Sequence, residues 1–294
     1  MVTVPSLHIL GNALVSGLLL GGLFAVTALG LSLVFGVTRL INLAHGELLV
    51  LGAYVSLVLT RALGMDPLVS MLLVVPIVFL VAAPVFWLLL APVMGRGPEP
   101  AMLTTFGLSV IAQSLFILVF SGDSQTLPAS YAAASVHVAG LNLPVMYLVS
   151  FAFGVGLCVL LDQAIRRTGL GREVRASSED AEAAAALGVN VRRVHLLVFG
   201  VAAACAAIGG ILVGTTFSFT PTSGLNYLLS GFAVVVLGGL GSVRGTFFGA
   251  LVLGVVESLG GAIVGDGYRE LVGFLAFLIV LSLRPQGLFG RRLA

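Results

Sequence analysis

Val194-His195-Leu196-Leu197-Val198-Phe199-Gly200-Val201-Ala202-Ala203-Ala204-Cys205-Ala206-Ala207-Ile208-Gly209-Gly210-Ile211-Leu212-Val213 opens a run that meets no Asp, Glu, Lys or Arg before Arg244. A run of that length holds two membrane spans of about 20 residues each. Pro67 to Gly95 is another charge-free run. The whole chain agrees with both: of 294 residues, 59% are hydrophobic and only 9% charged, with a mean hydropathy of +1.17. Soluble domains carry about 25% charged residues. The expected fold is therefore all-α, a polytopic transmembrane helical bundle forming a single domain over residues 1–294. No Lys or Arg precedes Arg39, so the first apolar tract lacks the basic start of a cleaved signal peptide and is expected to remain as a membrane helix.

Working outward from these runs, hydropathy and helix breakers predict spans near 12–37, 42–62, 67–94, 101–120, 144–165, 194–216, 228–241, 246–264 and 268–283. This makes eight or nine membrane segments. The seventh is too short to cross alone, and Gly238-Gly239-Leu240-Gly241-Ser242 breaks it, so residues 228–264 read as a broken or re-entrant pair whose turn lies within protein or near one face. Arginine placement orients the bundle. With the N-terminus outside and the C-terminus cytoplasmic, Arg39, Arg96, Arg244, Arg284, Arg291 and Arg292 all fall inside, and only Arg61 and Arg269 fall outside, as the positive-inside rule asks. The outer face then carries one long loop, about 121–143, which reads either as a lid or docking surface or as an inert connector.

Between the apolar tracts lies a charged island. The chain has 14 basic and 12 acidic residues, and ten of them are packed between Arg166 and Arg193. Within this loop, about 166–193, Ser177 is placed to cap a short helix, Asp180 falls at its third position, and Glu179 and Glu182 favour the positive end of its dipole. Gly188 supplies a left-handed stop. The stretch Ala181 to Ala186 leaves a small-residue face around Glu182 on which another protein could close. A helix of about ten residues is marginal alone in water and needs a partner or its own spans to rest on. A solvated loop with one helical turn is the competing reading.

All the basic residues are arginine. Without lysine there is no phosphate-cradling G-x-x-x-x-G-K-[ST] loop and no Schiff-base lysine, so ATP used for work must be hydrolysed by another polypeptide. Cys158 and Cys205 sit in apolar helical stretches and read as small hydrophobes, neither a disulfide nor a metal pair.

Three further stretches carry polar chemistry at membrane depth. In Arg39-Leu40-Ile41-Asn42-Leu43-Ala44-His45-Gly46-Glu47, Asn42 can cap the second helix and Glu47 then sits in its first turns. An intramembrane ionisable group is a functional-site candidate; a structural lock of Glu47 with His45 or Arg39 near the interface is the alternative. Glu257 is a second lone carboxylate within a span and needs a buried partner or a water-lined cavity. In the third, Gly239 and Gly241 admit close backbone approach and either line a pathway with unwound peptide groups or pack helices. Thr104, Thr105, Ser109 and Gln113 add neutral hydrogen-bonding groups at helical spacing on the fourth span. His45 and Glu47, two apart, diverge on a helix and do not make the i,i+4 metal pair of an H-E-x-x-H enzyme.

Together, Ala28-Leu29-Gly30-Leu31 to Phe35-Gly36 running into Ile41-Asn42-Leu43-Ala44-His45-Gly46-Glu47, then Val235-Val236-Leu237-Gly238-Gly239-Leu240-Gly241-Ser242, then Arg284-Pro285-Gln286-Gly287-Leu288-Phe289-Gly290, resemble the permease subunits of branched-chain amino acid ABC importers. That family also serves urea and short amides. The resemblance covers nearly the whole chain and implies a type II-like importer permease in the bacterial cytoplasmic (inner) membrane. It would perform no catalysis and bind no cofactor or metal of its own. Its implied partners are a homologous or identical second permease, two cytoplasmic ATPases holding ATP and magnesium, a periplasmic or lipid-anchored solute-binding protein, and membrane lipid, with no nucleic acid. On this resemblance Glu179 to Gly188 is the coupling helix, with Arg175, Glu179, Asp180, Glu182, Ala184 and Gly188 at the ATPase contact. Asn42, His45, Glu47, Thr104, Gln113, Gly239, Gly241 and Glu257 are candidates for the translocation path or gate. The expected solute is a branched-chain or other hydrophobic amino acid, with urea or a short amide as the alternative. A secondary transporter using Glu47 and Glu257 as ion sites is the alternative of another class, and the charged island argues against it.

Overall fold

The computed structural model describes residues 6–138, 140–284 and 286–289. Arg291 and Arg292 lie outside them. Among the described residues, seven helices are long and apolar enough to cross a membrane: α1 (Leu7–Thr38), α2 (His45–Leu63), α3 (Pro67–Val85, continued by a π-turn to Leu90), α4 (Pro98–Phe120), α5 (Val145–Arg167), α8 (Val191–Thr216) and α10 (Val243–Val264). The island forms α6 (Gly169–Glu179) and α7 (Ala181–Ala186). The expected seventh and ninth spans are α9 (Gly224–Gly238) and α11 (Arg269–Leu283), 15 residues each. At 1.5 Å per residue each is about 22 Å long, short of a hydrocarbon core of about 30 Å. The last segment lies within the bounds expected for it, 268–283, and is as short as the seventh.

α1 is the axis of the bundle. It packs against α5, α8, α9 and α10, and 83% of its most apolar window is buried. Apolar side chains alone drive no helix association in lipid, so small residues that let backbones meet do this work. A methyl group on Gly17 would lie 2.8 Å from the Gly254 carbonyl oxygen, and one on Gly21 would lie 2.7 Å from Leu251 Cα. Buried hydroxyl pairs add ties that sequence reading missed: Thr246 donates to Ser32 across 2.7 Å, joining α10 to α1, and Ser56 meets Ser70 at 2.7 Å between α2 and α3.

α3 starts on Pro67, capped by Asp66, whose side chain accepts from the Leu68 amide. Pro84 has no N–H for the preceding turn, and just beyond it the ladder slips to a π-turn, where the Ala91 amide reaches the Phe86 carbonyl at 2.8 Å. α4 is the least buried span, at 11%. Its outward Leu103 and Leu118 are 71% and 80% exposed, the surface expected to meet lipid or another membrane chain.

The long loop between α4 and α5 is packed down. Residues Ser135–Val138 (β1) and Leu141–Pro144 (β2) form an antiparallel hairpin. Gln125 pairs with Phe219 and accepts from Arg61 at 2.6 Å. Tyr131 donates to Asp66 at 2.7 Å. Phe219 and Leu127 are buried, and Phe219 stands edge-on to Tyr54, which stacks on Phe120. The segment is thus tied to α2, α3 and residue 219.

Candidate functional site

The first site is the start of α2. Thr38 ends α1, yet His45 Nε2 lies 3.0 Å from the Thr27 carbonyl, eleven residues back along α1, or about 16 Å. Residues 39–44 therefore double back into the bundle, and α2 begins at depth instead of at the interface. A carbonyl can only accept, so Nε2 carries the proton and Nδ1 is the bare nitrogen. Asn42 does not cap α2; the N-cap residue is Ala44. The Asn42 side chain accepts from the Ala44 amide at 3.1 Å and forms the turn leading in.

Glu47 pairs with neither His45 nor Arg39. Its Oε1 accepts from Ser109 of α4 at 3.2 Å, and its carboxylate lies against the start of α9, where a Cβ on Gly224 would be 2.6 Å from Glu47 Cδ. Two helix N-termini, those of α2 and α9, thus meet around one carboxylate, which is the charge their dipoles favour. Thr105, one turn from Ser109, accepts from the Leu43 amide at 3.2 Å. Asn42 Nδ2, His45 Nδ1 and Glu47 Oε2 are buried without a protein partner. Each such atom costs about 1–3 kcal/mol, so this junction holds polar groups ready to take other partners. Thr105 and Ser109 make its contacts, while Thr104 donates back to Pro100 of its own helix and Gln113 is half-buried beyond it.

Gly239 and Gly241 are elsewhere. They turn α9 into α10 with φ of 94° and 78°, which glycine alone adopts without strain. Gly241 abuts Gly36 so closely that a Cβ would lie 2.8 Å from its Cα. Leu288 donates to the Leu237 carbonyl at 2.8 Å, pinning the C-terminal motif onto this hairpin. At the island end Gly241 makes the close helix contact that was one of the two readings of these glycines.

Glu257 borders a cavity of about 340 Å³ between α1, α8, α9, α10 and α11, with Arg269 and Glu270 of α11 at the end opposite the island. Only 6% of Glu257 is exposed. Arg269 Nε stands 3.9 Å from its Oε2, and Gly273 leaves room for the carboxylate, since a Cβ there would lie 2.7 Å from Glu257 Cγ.

The island is two helices, where one of about ten residues was expected. Ser177 is buried inside α6, and the cap is Asp180, which accepts from the Glu182 and Ala183 amides at 3.0 Å each. Asp180 N–H closes α6 on the Ala176 carbonyl at the same time. Gly188, at φ 88°, provides the expected left-handed stop. Ala184 is 3% exposed and faces its own chain, so it is not on the outer surface of α7. Leu187 is on that surface, 86% exposed; a lone large apolar residue among alanines before the stop glycine was the signal for it. Arg175 turns back to donate to the Ile165 carbonyl. Asp162 holds the island end together, accepting from Arg166 at 2.9 Å and from Arg244 at 2.8 Å. A cleft of about 710 Å³ separates α7 from the ends of α1 and α3, lined by Arg39, Asp180, Glu182, Arg192 and His195 among others.

A glycine-packed bundle with a re-entrant, polar junction at depth and a short exposed helix at its arginine-rich end defines a multi-pass membrane permease. The family described as branched-chain amino acid transport system, permease component, matches residues 13–282, and the chain belongs to it. It is 29% identical, over 98% of both chains, to the high-affinity branched-chain amino acid transport system permease protein BraD of Pseudomonas aeruginosa. It is 31% identical to LivH of Escherichia coli K12, a permease of the same description, over 94% of each chain. The ribose import permease protein RbsC of Haemophilus influenzae is 25% identical over 92% of this chain and 83% of its own. No solved structure matches the chain.

Proposed function

We propose that this permease is the membrane subunit of an ATP-driven importer of branched-chain or other hydrophobic amino acids. It works with a homologous or identical second permease, two cytoplasmic ATPases that hold ATP and magnesium, and an external solute-binding protein. The N-terminus lies outside and the island faces the cytoplasm, because only Arg61 and Arg269 among the described arginines sit at the opposite end. The observation that carries the reading is α7: a six-residue helix capped by Asp180 and stopped at Gly188, with Glu182 and Leu187 exposed. A helix too short to stand alone rests on its own chain through Ala184, while its exposed apolar tip and acidic start suit a cleft in a soluble motor subunit.

On this reading the α2 start is a gate. Closing of the ATPases moves α7 and, across the cleft, the end of α1, and the bare polar atoms at Asn42, His45 and Glu47 exchange partners as the path opens. The test is Leu187→Asp in vesicles reconstituted with all subunits and loaded with ATP. Leucine uptake should fall while ATP hydrolysis persists or separates from the membrane. Normal coupled uptake removes α7 from the contact, and uptake abolished by collapsing ion gradients at constant ATP removes the ATP-driven reading itself.

A further inference from the structure

The cavity beneath α11 has features of a ligand site that packing does not require. Charged hydrogen bonds close to about 2.7–2.9 Å when nothing prevents them. Arg269 Nε stops 3.9 Å from Glu257 Oε2, so the two attract without bonding and each has capacity for another partner. Glu257 sits at the back of the cavity on α10, while Glu270 lies exposed in the first turn of α11. The side toward α1 and α8 is mostly apolar, formed by Leu20, Leu23, Phe24 and Val213 with Thr27 among them, and Asn226 and Tyr227 of α9 stand across from it.

Resting on the importer reading above, we propose that this cavity binds a single aliphatic α-amino acid as a zwitterion, its ammonium on Glu257 and its carboxylate on Arg269. A zwitterion replaces one long ion pair by two short ones and adds no net charge at depth. A bare anion meets Glu257 and Glu270, and a bare cation meets Arg269, so each is opposed by a like charge that the zwitterion pairs. At about 340 Å³ the space is at the small end of ligand pockets, which suits one amino acid, and its apolar wall takes the side chain. The permease thereby selects for the doubly charged head group and an aliphatic tail itself.

The assembled importer, reconstituted without its binding protein and carrying Ser218→Cys at the cavity rim, tests this. Both native cysteines are buried, so a membrane-impermeant maleimide reports the introduced thiol. L-Leucine at roughly ten times its Kd should slow labelling about tenfold. 4-Methylpentanoate and leucine amide, each lacking one charge, should not protect at the same concentration. Glu257→Gln and Arg269→Gln should each weaken protection about ten- to a hundredfold, and Glu257→Asp and Arg269→Lys, which keep the charges, should retain part of it. Labelling unaffected by leucine, or equal protection by all three compounds, overturns the proposal, and neither result depends on a charge variant folding. ATP-dependent uptake in the same vesicles with the binding protein restored separates the two claims. Leucine uptake without protection overturns the cavity site alone, and no uptake of any amino acid overturns the importer reading.

Discussion

Ser109 donates its hydroxyl to Glu47 Oε1 across 3.2 Å, joining α4 to the first turn of α2 inside the bundle. α4 packs lightly on its own chain, so this contact and the Leu43 amide on Thr105 join the Tyr54 stack on Phe120 in holding it in place. Glu47→Ala removes the carboxylate from two helix starts and leaves the Ser109 hydroxyl bare. It should cost about 1–3 kcal/mol, read as a lower melting temperature of the purified permease, and Glu47→Gln, which keeps an acceptor oxygen, should cost less. An alanine variant as stable as the parent would show that the junction has no structural role.

Gly17 and Gly21 seat α1 on α10. Gly17→Leu or Gly21→Val should drive the two backbones apart and abolish recovery of folded protein from membranes, since neither neighbour can give way. Gly11→Ala and Gly107→Ala, where nothing lies within 4 Å, should be recovered at parental yield. Equal yields from both sets would contradict the packing.

Asp180, and not Ser177, starts α7. Asp180→Ala should destabilise that turn by about 1 kcal/mol and lower transport per ATP hydrolysed, while Ser177→Ala leaves the cap intact. Amide exchange at Glu182 and Ala183 measures this directly: faster exchange is expected in the aspartate variant only.

Tyr131 fastens the outer loop to the cap of α3. Burial first, and then the Asp66 carboxylate it donates to, push the Tyr131 phenol above its ordinary value. The folded state therefore holds the proton that the unfolded chain releases near pH 10. The stability this adds is complete below about pH 10 and declines as pH rises toward the folded-state value. Tyr131→Phe should remove that alkaline sensitivity along with about 1–3 kcal/mol, measured by melting temperature from pH 8 to 11. A parental slope that survives the substitution would assign it elsewhere.

Much of this architecture is local in origin, and local features are legible in sequence. Charge-free runs long enough to cross a bilayer must become helices there, because only helices satisfy their own backbone in lipid. Runs and breaker glycines accordingly located seven long spans, the hairpin at Gly239 and Gly241, and the stop at Gly188. The three motifs were enough for the family.

What tertiary structure alone decided are relationships between distant residues. Which oxygen Glu47 offers to Ser109, 62 positions away, depends on how far residues 39–44 climb back beside α1. The split of the island depends on α6 lying against α5 and α8, which buries Ser177 and leaves Asp180 to cap α7. Glu257 was visible as a charge in a span, but its 3.9 Å separation from Arg269 follows from where Gly273 lets α11 pack. Composition sets which segments enter the membrane; close contact at glycines and the pairing of buried polar groups set how those segments meet.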